Sequence, residues 1–267
     1  GLVVYALARQ AFLKARSLRR KQADEDRELV SDAIASTRRM LHPCVLLSYE
    51  RFVALGRLAP HEELRDRGLL KVVDDYDELR KFAEATPIAF CSHEWLGVEE
   101  PDPKNVHFQA MVQALSALCT SKGVDASQLY VWCDYFSVPQ VSRALQQLAI
   151  ETLSSYATSS RYFLIIAPPA LKEGFGTRDA ETYARRGWCR LEQFSRLASL
   201  AHDSILMYDG QRDGQEPLQP VMSGDKERVA RAAAVFEGEF TVEADRERLV
   251  KTVLGLYARI LERRERP

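Results

Sequence analysis

From residue 87 onward the chain alternates short apolar runs with amphipathic helical patterns, and this alternation restricts the possible folds more than any other feature. The runs lack the in-and-out alternation of a strand with one wet face, so each is predicted to be a strand buried on both sides. Such strands, separated by helices, indicate a parallel sheet covered by helices on both faces. Four runs occupy residues 88–91, 129–133, 162–167 and 204–208, and residues 239–242 form a candidate fifth strand.

The first 85 residues follow a different pattern. Helical spacing recurs along residues 29–41, after Pro60 and along residues 77–85, and these segments carry no chemical motif. We therefore expect a helical N-terminal extension at residues 1–85 and an α/β domain at residues 86–267.

Residues 1–22 begin with an apolar stretch and continue with a cluster of basic residues before the first acid. Three interpretations fit this pattern. The segment is the end of a membrane-spanning helix with its cytoplasmic flank, a basic amphipathic or targeting segment, or a solvated helix that packs on the body of the protein.

The composition excludes several classes of protein. The chain has 37 Lys and Arg against 38 Asp and Glu, which argues against a dedicated nucleic-acid binder. Its five cysteines are odd in number and irregularly spaced, so we expect reduced thiols in an intracellular, cytoplasmic protein rather than a disulfide framework. Membrane association through residues 1–22 is the alternative localisation.

Polar and aromatic residues follow the predicted strands at the edge where ligands bind to parallel sheets. One group follows the first strand, another follows the second, and a third opens the helix before the fourth strand. The candidate site residues are Ser92, His93, Glu94, Trp95, Asp134, Tyr135, Phe136, Trp188 and Glu192.

Three motifs together resemble those of Toll/interleukin-1 receptor (TIR) domains. Residues 92–96 read Ser-His-Glu-Trp-Leu, residues 134–140 read Asp-Tyr-Phe-Ser-Val-Pro-Gln, and residues 188–192 read Trp-Cys-Arg-Leu-Glu. The chain is similar above all to a divergent TIR-like group found in algae and other protists, over roughly residues 86–262. The resemblance implies a flavodoxin-like fold: a mostly parallel five-stranded sheet with helices on both faces.

The resemblance also implies an activity. In enzymatic TIR domains the glutamate of the third motif cleaves the nicotinamide–ribose bond of NAD, which would make Glu192 the catalytic residue and NAD or a related nucleotide the substrate. No separate cofactor is implied. A carboxylate beside the anomeric carbon can stabilise an oxocarbenium-like transition state. The alternative is that Glu192 is a first-turn acid stabilised by the helix dipole.

The other candidates also have two interpretations each. His93 either acts as a general acid or base or fixes its own loop. Trp95 either stacks on a substrate ring or packs in the core. Asp134 binds a ribose hydroxyl or caps the loop 135–140, and Tyr135 and Phe136 are expected to shape the mouth of the pocket. Cys189 lacks the partners of a catalytic thiol, and no histidine follows His93 and Glu94 at metalloprotease spacing, so the sequence predicts no metal site.

An insertion of about twenty residues, roughly 168–187, departs from the TIR pattern and is expected to cover or obstruct the site.

The leading hypothesis is a self-associating, NAD-cleaving enzyme. The alternatives are a non-catalytic interaction module and a scaffold subunit of a membrane complex. An open cleft around Glu192, His93 and Asp134 would favour the enzyme, and an insertion side chain that fills the cleft would favour the module.

Overall fold

The computed structural model describes residues 23–199, 205–210 and 216–265, and it has an α/β architecture with a mixed seven-stranded sheet. A separate two-stranded hairpin lies outside that sheet. The strands are β1 (Cys44–Ser48), β2 (Lys71–Val73), β3 (Ile88–His93), β4 (Tyr130–Trp132), β5 (Tyr162–Ile166), β6 (Ala170–Lys172), β7 (Gly176–Arg178), β8 (Ile205–Tyr208) and β9 (Gln219–Pro220).

Helices occupy most of the connections between these strands. They are α1 (Ala23–Ser36), α2 (Tyr49–Leu55), α3 (His61–Asp66), α4 (Tyr76–Ala85), α5 (Val106–Lys122), α6 (Asp134–Ser137), α7 (Arg143–Glu151), α8 (Leu153–Ser159), α9 (Ala180–Arg185), α10 (Gly187–Ala198), α11 (Lys226–Ala233), α12 (Ala244–Arg248) and α13 (Val250–Glu265).

The sheet has the strand order β2-β1-β4-β3-β5-β8-β9. Its core, β4-β3-β5-β8, is parallel, as the buried apolar runs predict. At one edge β1 runs antiparallel to both β4 and β2, and at the other edge β9 runs antiparallel to β8. The chain is thus an α/β protein with a parallel core and antiparallel edges.

The central strand β3 separates two apolar cores because successive side chains of a strand point to opposite faces. Phe90 stacks between Trp132 and Phe163, with ring centroids 4.1 and 5.0 Å away, in the core that also contains residues of α10. Its neighbours Ala89 and Cys91 belong to the other core, which contains residues of α5. Every residue of β3 is buried.

The strand count differs from the five that the sequence analysis predicts. Two additional strands, β1 and β2, lie in the segment expected to be helical. The first four residues of β1 are apolar and buried, and this strand pairs with β4 in the main sheet, whereas two of the three residues of β2 are exposed. The division of the chain at residue 85 stays a prediction.

The predicted fifth strand at residues 239–242 is wrong. Glu239 forms a single bridge with Arg186, and the ring of Phe240 covers Gly187 so closely that a Cβ there would lie 2.1 Å from it. This segment therefore packs against the start of α10, and β9 takes the place beside β8. The fourth predicted strand is present from Ile205, while Ser204 lies outside the described residues.

Within the described ranges, no helix is long and apolar enough to cross a membrane. The membrane-docking hypothesis for residues 1–22 concerns a segment outside those ranges.

Candidate functional site

The carboxyl end of β3 places two candidate residues on opposite faces of the sheet. Ser92 lies on the side of α10, and His93 lies on the side of α5. The sequence analysis ends this strand at residue 91, whereas the structure continues it through His93. The nine candidate residues therefore do not converge on one pocket: five of them divide between two networks, and the other four have different partners.

The first network joins Glu192 to Ser92 and Tyr183. Ser92 Oγ donates a short hydrogen bond to Glu192 Oε2 and lies 2.6 Å from the hydroxyl of Tyr183. Glu192 is only 8% exposed. Burial raises its pKa to about 8, and the negative charge of Asp134 adds to the shift, while the hydrogen bond from Ser92 opposes it. At neutral pH this carboxyl is therefore mostly protonated.

The second network joins His93 to His107 and Asp134. His93 Nδ1 lies 3.1 Å from His107 Nδ1, and His93 Nε2 lies 3.0 Å from Asp134 Oδ1. Trp95 Nε1 donates to the other oxygen of Asp134 over 2.7 Å. Burial, together with the charge of His93, lowers the pKa of His107 to about 3, so this imidazole is neutral.

Asp134 stays ionised although it lies at the same sheet edge as Glu192. Burial alone would raise its pKa, but attraction to His93 and hydrogen bonds from His93 and Trp95 lower it below the ordinary value. Cys133 is fully buried beside this pair, with its Sγ 3.5 Å from Asp134 Oδ1. Burial raises the pKa of the Cys133 thiol.

Side chains of the insertion contact residues of both networks. Lys172 Nζ donates to the Trp95 carbonyl over 2.9 Å, and Arg178 pairs with the buried Glu94 at 3.3 Å. Tyr183 also comes from the insertion. The gap between these side chains has no room for a water-sized sphere. It is bordered by Glu94, His107, Arg178 and Tyr183. The buried Glu94 Oε2 has no hydrogen-bond partner there, and the cleft is closed at this point.

A cavity of ligand size lies on the other side of Tyr183. Its volume is about 360 Å³, within the range of small-molecule sites. Tyr183 and Gln193 line it, as do Arg228 and Arg231 of α11. Because the Tyr183 hydroxyl contacts Ser92, this side chain stands between the cavity and the first network.

The remaining candidates lie in other surroundings. Trp188 Nε1 donates to Asp245 over 3.2 Å, and the Trp188 ring packs against Phe240, so it contacts the C-terminal segment. Tyr135 packs edge-on against Trp95, with ring centroids 5.7 Å apart. Phe136 is fully buried in the core, and its ring centroid lies 6.0 Å from that of Phe52.

Sequence reasoning missed Tyr183 and His107. Tyr183 lies in the insertion, for which the resemblance offers no counterpart. His107 lies in the first turn of α5, and no local pattern shows that this turn meets the end of β3. Cys189 is buried, with its Sγ 3.9 Å from the His93 carbonyl, and burial raises its pKa.

Comparison of the chain with protein-family models, with curated proteins and with solved structures finds no significant match. The resemblance to TIR domains therefore rests on the motifs themselves.

Proposed function

We propose that this chain is a TIR-like enzyme that cleaves the nicotinamide–ribose bond of NAD and that the described conformation is its closed, inactive state. The observation that carries the proposal is the position of Glu192. It ends the Trp-Cys-Arg-Leu-Glu motif, lies beside the carboxyl end of β3, and is separated by Tyr183 from a ligand-sized cavity.

The strand order supports the fold that this proposal requires. When the four parallel strands are numbered in chain order, they lie across the sheet in the order second, first, third, fourth. Flavodoxin-like sheets have the order 2-1-3-4-5, whose first four positions match, and they bind ligands outside the carboxyl ends of their strands. Glu192 and the cavity both lie on one face of that edge.

The protonation of Glu192 explains why the closed state would be inactive. Cleavage of the glycosidic bond leaves positive charge on the ribose, which an ionised carboxylate stabilises and a neutral carboxyl does not. In the closed state burial keeps Glu192 largely neutral. Displacement of Tyr183 would open the carboxyl to the cavity and its solvent, and so lower its pKa. Water then adds to the ribose, and the products are nicotinamide, ADP-ribose and a proton.

The test is nicotinamide release from NAD by the wild-type chain and by Tyr183→Leu, a substitution that removes the hydroxyl and part of the ring volume. We expect faster release from Tyr183→Leu than from the wild type, and none from the double variant Tyr183→Leu, Glu192→Gln. Circular dichroism and melting temperature establish that each variant is folded. Absence of release from folded Tyr183→Leu at every protein concentration would refute the enzymatic proposal.

A non-catalytic interaction module is the second candidate, and the closed edge is the observation that favours it. Insertion side chains already partner Glu94, Ser92 and the Trp95 carbonyl, so a substrate would have to displace them. If the chain is such a module, Glu192→Gln should leave its self-association intact. Light scattering over a range of concentrations would test for self-association of both the wild type and that variant.

A further inference from the structure

Three donor atoms of different chemistry meet at the end of β4. Among the described residues, His93, Cys133 and Asp134 form the group whose ligand atoms all lie within 4.8 Å of one another. His93 Nε2 lies 3.0 Å from Asp134 Oδ1, Cys133 Sγ lies 3.7 Å from His93 Nε2, and Cys133 Sγ lies 3.5 Å from Asp134 Oδ1.

Two of these three separations are close to those of a tetrahedral zinc site. Zinc bonds of about 2.3 Å to sulfur and about 2.0 to 2.2 Å to nitrogen or oxygen place ligand atoms about 3.3 to 3.6 Å apart. The two separations that involve sulfur, 3.5 and 3.7 Å, are already close to this range. Only the nitrogen–oxygen pair, at 3.0 Å, would have to open slightly as the ion replaces the hydrogen bond.

The neighbouring residues hold the three donors in position. His107 Nδ1 lies within hydrogen-bond distance of His93 Nδ1, so His93 can donate its Nδ1 proton to His107 and present Nε2 to a metal. Trp95 Nε1 holds the second oxygen of Asp134 and leaves Oδ1 facing the histidine. Histidine ligands of metals characteristically have such a partner on the other ring nitrogen.

We propose that His93 Nε2, Cys133 Sγ and Asp134 Oδ1 bind a zinc ion. Thiolate, imidazole and carboxylate together suit zinc, whereas magnesium and calcium prefer oxygen ligands. Binding replaces the thiol proton of Cys133 and any proton on His93 Nε2, and both are released to solvent. The ion and its two anionic ligands then carry no net charge, which favours their burial.

The fourth position of this site would be open to water or to a small ligand. The side chain of Asp134 is 33% exposed while that of His93 is 1% exposed, so the ion would approach from the aspartate side. Three protein ligands with one free position are typical of zinc sites that activate a bound water. The inference does not depend on NAD cleavage, because it uses the network on the opposite face of β3 from Glu192.

The experiment titrates the metal-free full chain with Co²⁺ and, separately, with Zn²⁺. We expect one equivalent to bind and the Co²⁺ complex to show a thiolate-to-metal charge-transfer band. Cys133→Ala should abolish that band. Cys44→Ala, which removes another buried strand thiol, should retain it. Asp134→Asn, which preserves the side-chain volume, should weaken Zn²⁺ binding by about 100-fold or more, since even the loss of a supporting partner costs 10- to 100-fold.

Absence of the charge-transfer band in the wild type would overturn the proposal, as would equal Zn²⁺ affinity of the wild type and Asp134→Asn. If circular dichroism shows that Cys133→Ala does not fold, the affinity of Asp134→Asn decides the question alone. Nicotinamide release is not a readout here, so failure of this test leaves the proposed activity of Glu192 unaffected.

Discussion

Glu192 and Asp134 are two carboxyl groups at the same edge of one sheet, and their pKa values shift in opposite directions. Burial raises the pKa of Glu192 to about 8, against one hydrogen bond from Ser92. Burial acts on Asp134 in the same direction, yet the charge of His93 and several hydrogen bonds lower its pKa below the ordinary value.

The difference lies in the partners that β3 supplies on its two faces. Towards α10 the strand offers Ser92, a neutral hydroxyl, and towards α5 it offers His93, which carries charge when protonated. The single hydrogen bond from Ser92 does not offset the desolvation of Glu192, whereas the charge of His93 together with several hydrogen bonds offsets that of Asp134. Pairs of titratable groups whose environments separate their pKa values are a mark of acid–base sites.

The largest expected effect is on the pH dependence of the free energy of unfolding, which should differ between the wild type and Glu192→Gln. A raised pKa in the folded state means that the folded protein holds a proton that the unfolded chain releases, so wild-type stability falls as the pH rises from 4.5 to about 8. The fall should reach up to about 5 kcal/mol. Urea unfolding at intervals across this window should show a slope in the wild type that Glu192→Gln lacks. Equal slopes in the two proteins would mean that Glu192 is ionised when folded.

Asp134→Asn should have a smaller effect, with the opposite dependence on pH. A lowered pKa means that Asp134 stabilises the fold above its unfolded value of 3.8, and this contribution is lost as the pH falls through the folded pKa. We expect the metal-free variant to lose about 1 to 2 kcal/mol at neutral pH, after allowance for solvent screening.

Unfolding free energies of metal-free wild type and Asp134→Asn, measured with a chelator present, should therefore converge in acid. A difference that is constant down to the acid transition would show that the asparagine acts through packing and not through charge.

Tyr183→Phe should have the smallest effect on stability. It removes the hydroxyl that contacts Ser92 but leaves the hydrogen bond from Ser92 to Glu192, so we expect a loss of about 1 kcal/mol. Thermal or urea unfolding measures this loss, and Tyr162→Phe, on a half-buried ring, serves as a control. A loss of stability no larger than that of Tyr162→Phe would show that the Tyr183 hydroxyl does not stabilise the fold through the first network.

Sequence patterns predict the parallel core well because its strands are continuous apolar runs between amphipathic helices. They miss β2 and β9 at the two edges of the sheet, which are short and mostly exposed. The three residues of β2 are too few to show a period, and β9 consists of two residues, one of them a proline that cannot donate to a ladder. At residues 239–242 a strand-like composition is overridden by the packing of Phe240 on Gly187.

The arrangement of the candidate residues does not follow from the sequence. Position at strand ends identifies Ser92, His93 and Asp134, whereas the division between two faces follows only once β3 is known to continue through His93. The proposed zinc ligands also escape the spacing rule for metalloproteases, because that rule describes one helix and these residues follow two neighbouring strands. Tyr183 and His107 arrive through tertiary contacts that no local pattern encodes.

Ser92 belongs to the first network and His93 to the second, and one peptide bond joins the two residues. A displacement of this one backbone unit, caused by an ion at Asp134, would change the distance from Ser92 Oγ to Glu192, and ionisation of Glu192 would act back on His93. Communication between the two faces would therefore require neither a domain motion nor a chain of intermediaries. One backbone layer, the thickness of any β-sheet, is all that separates the two networks here.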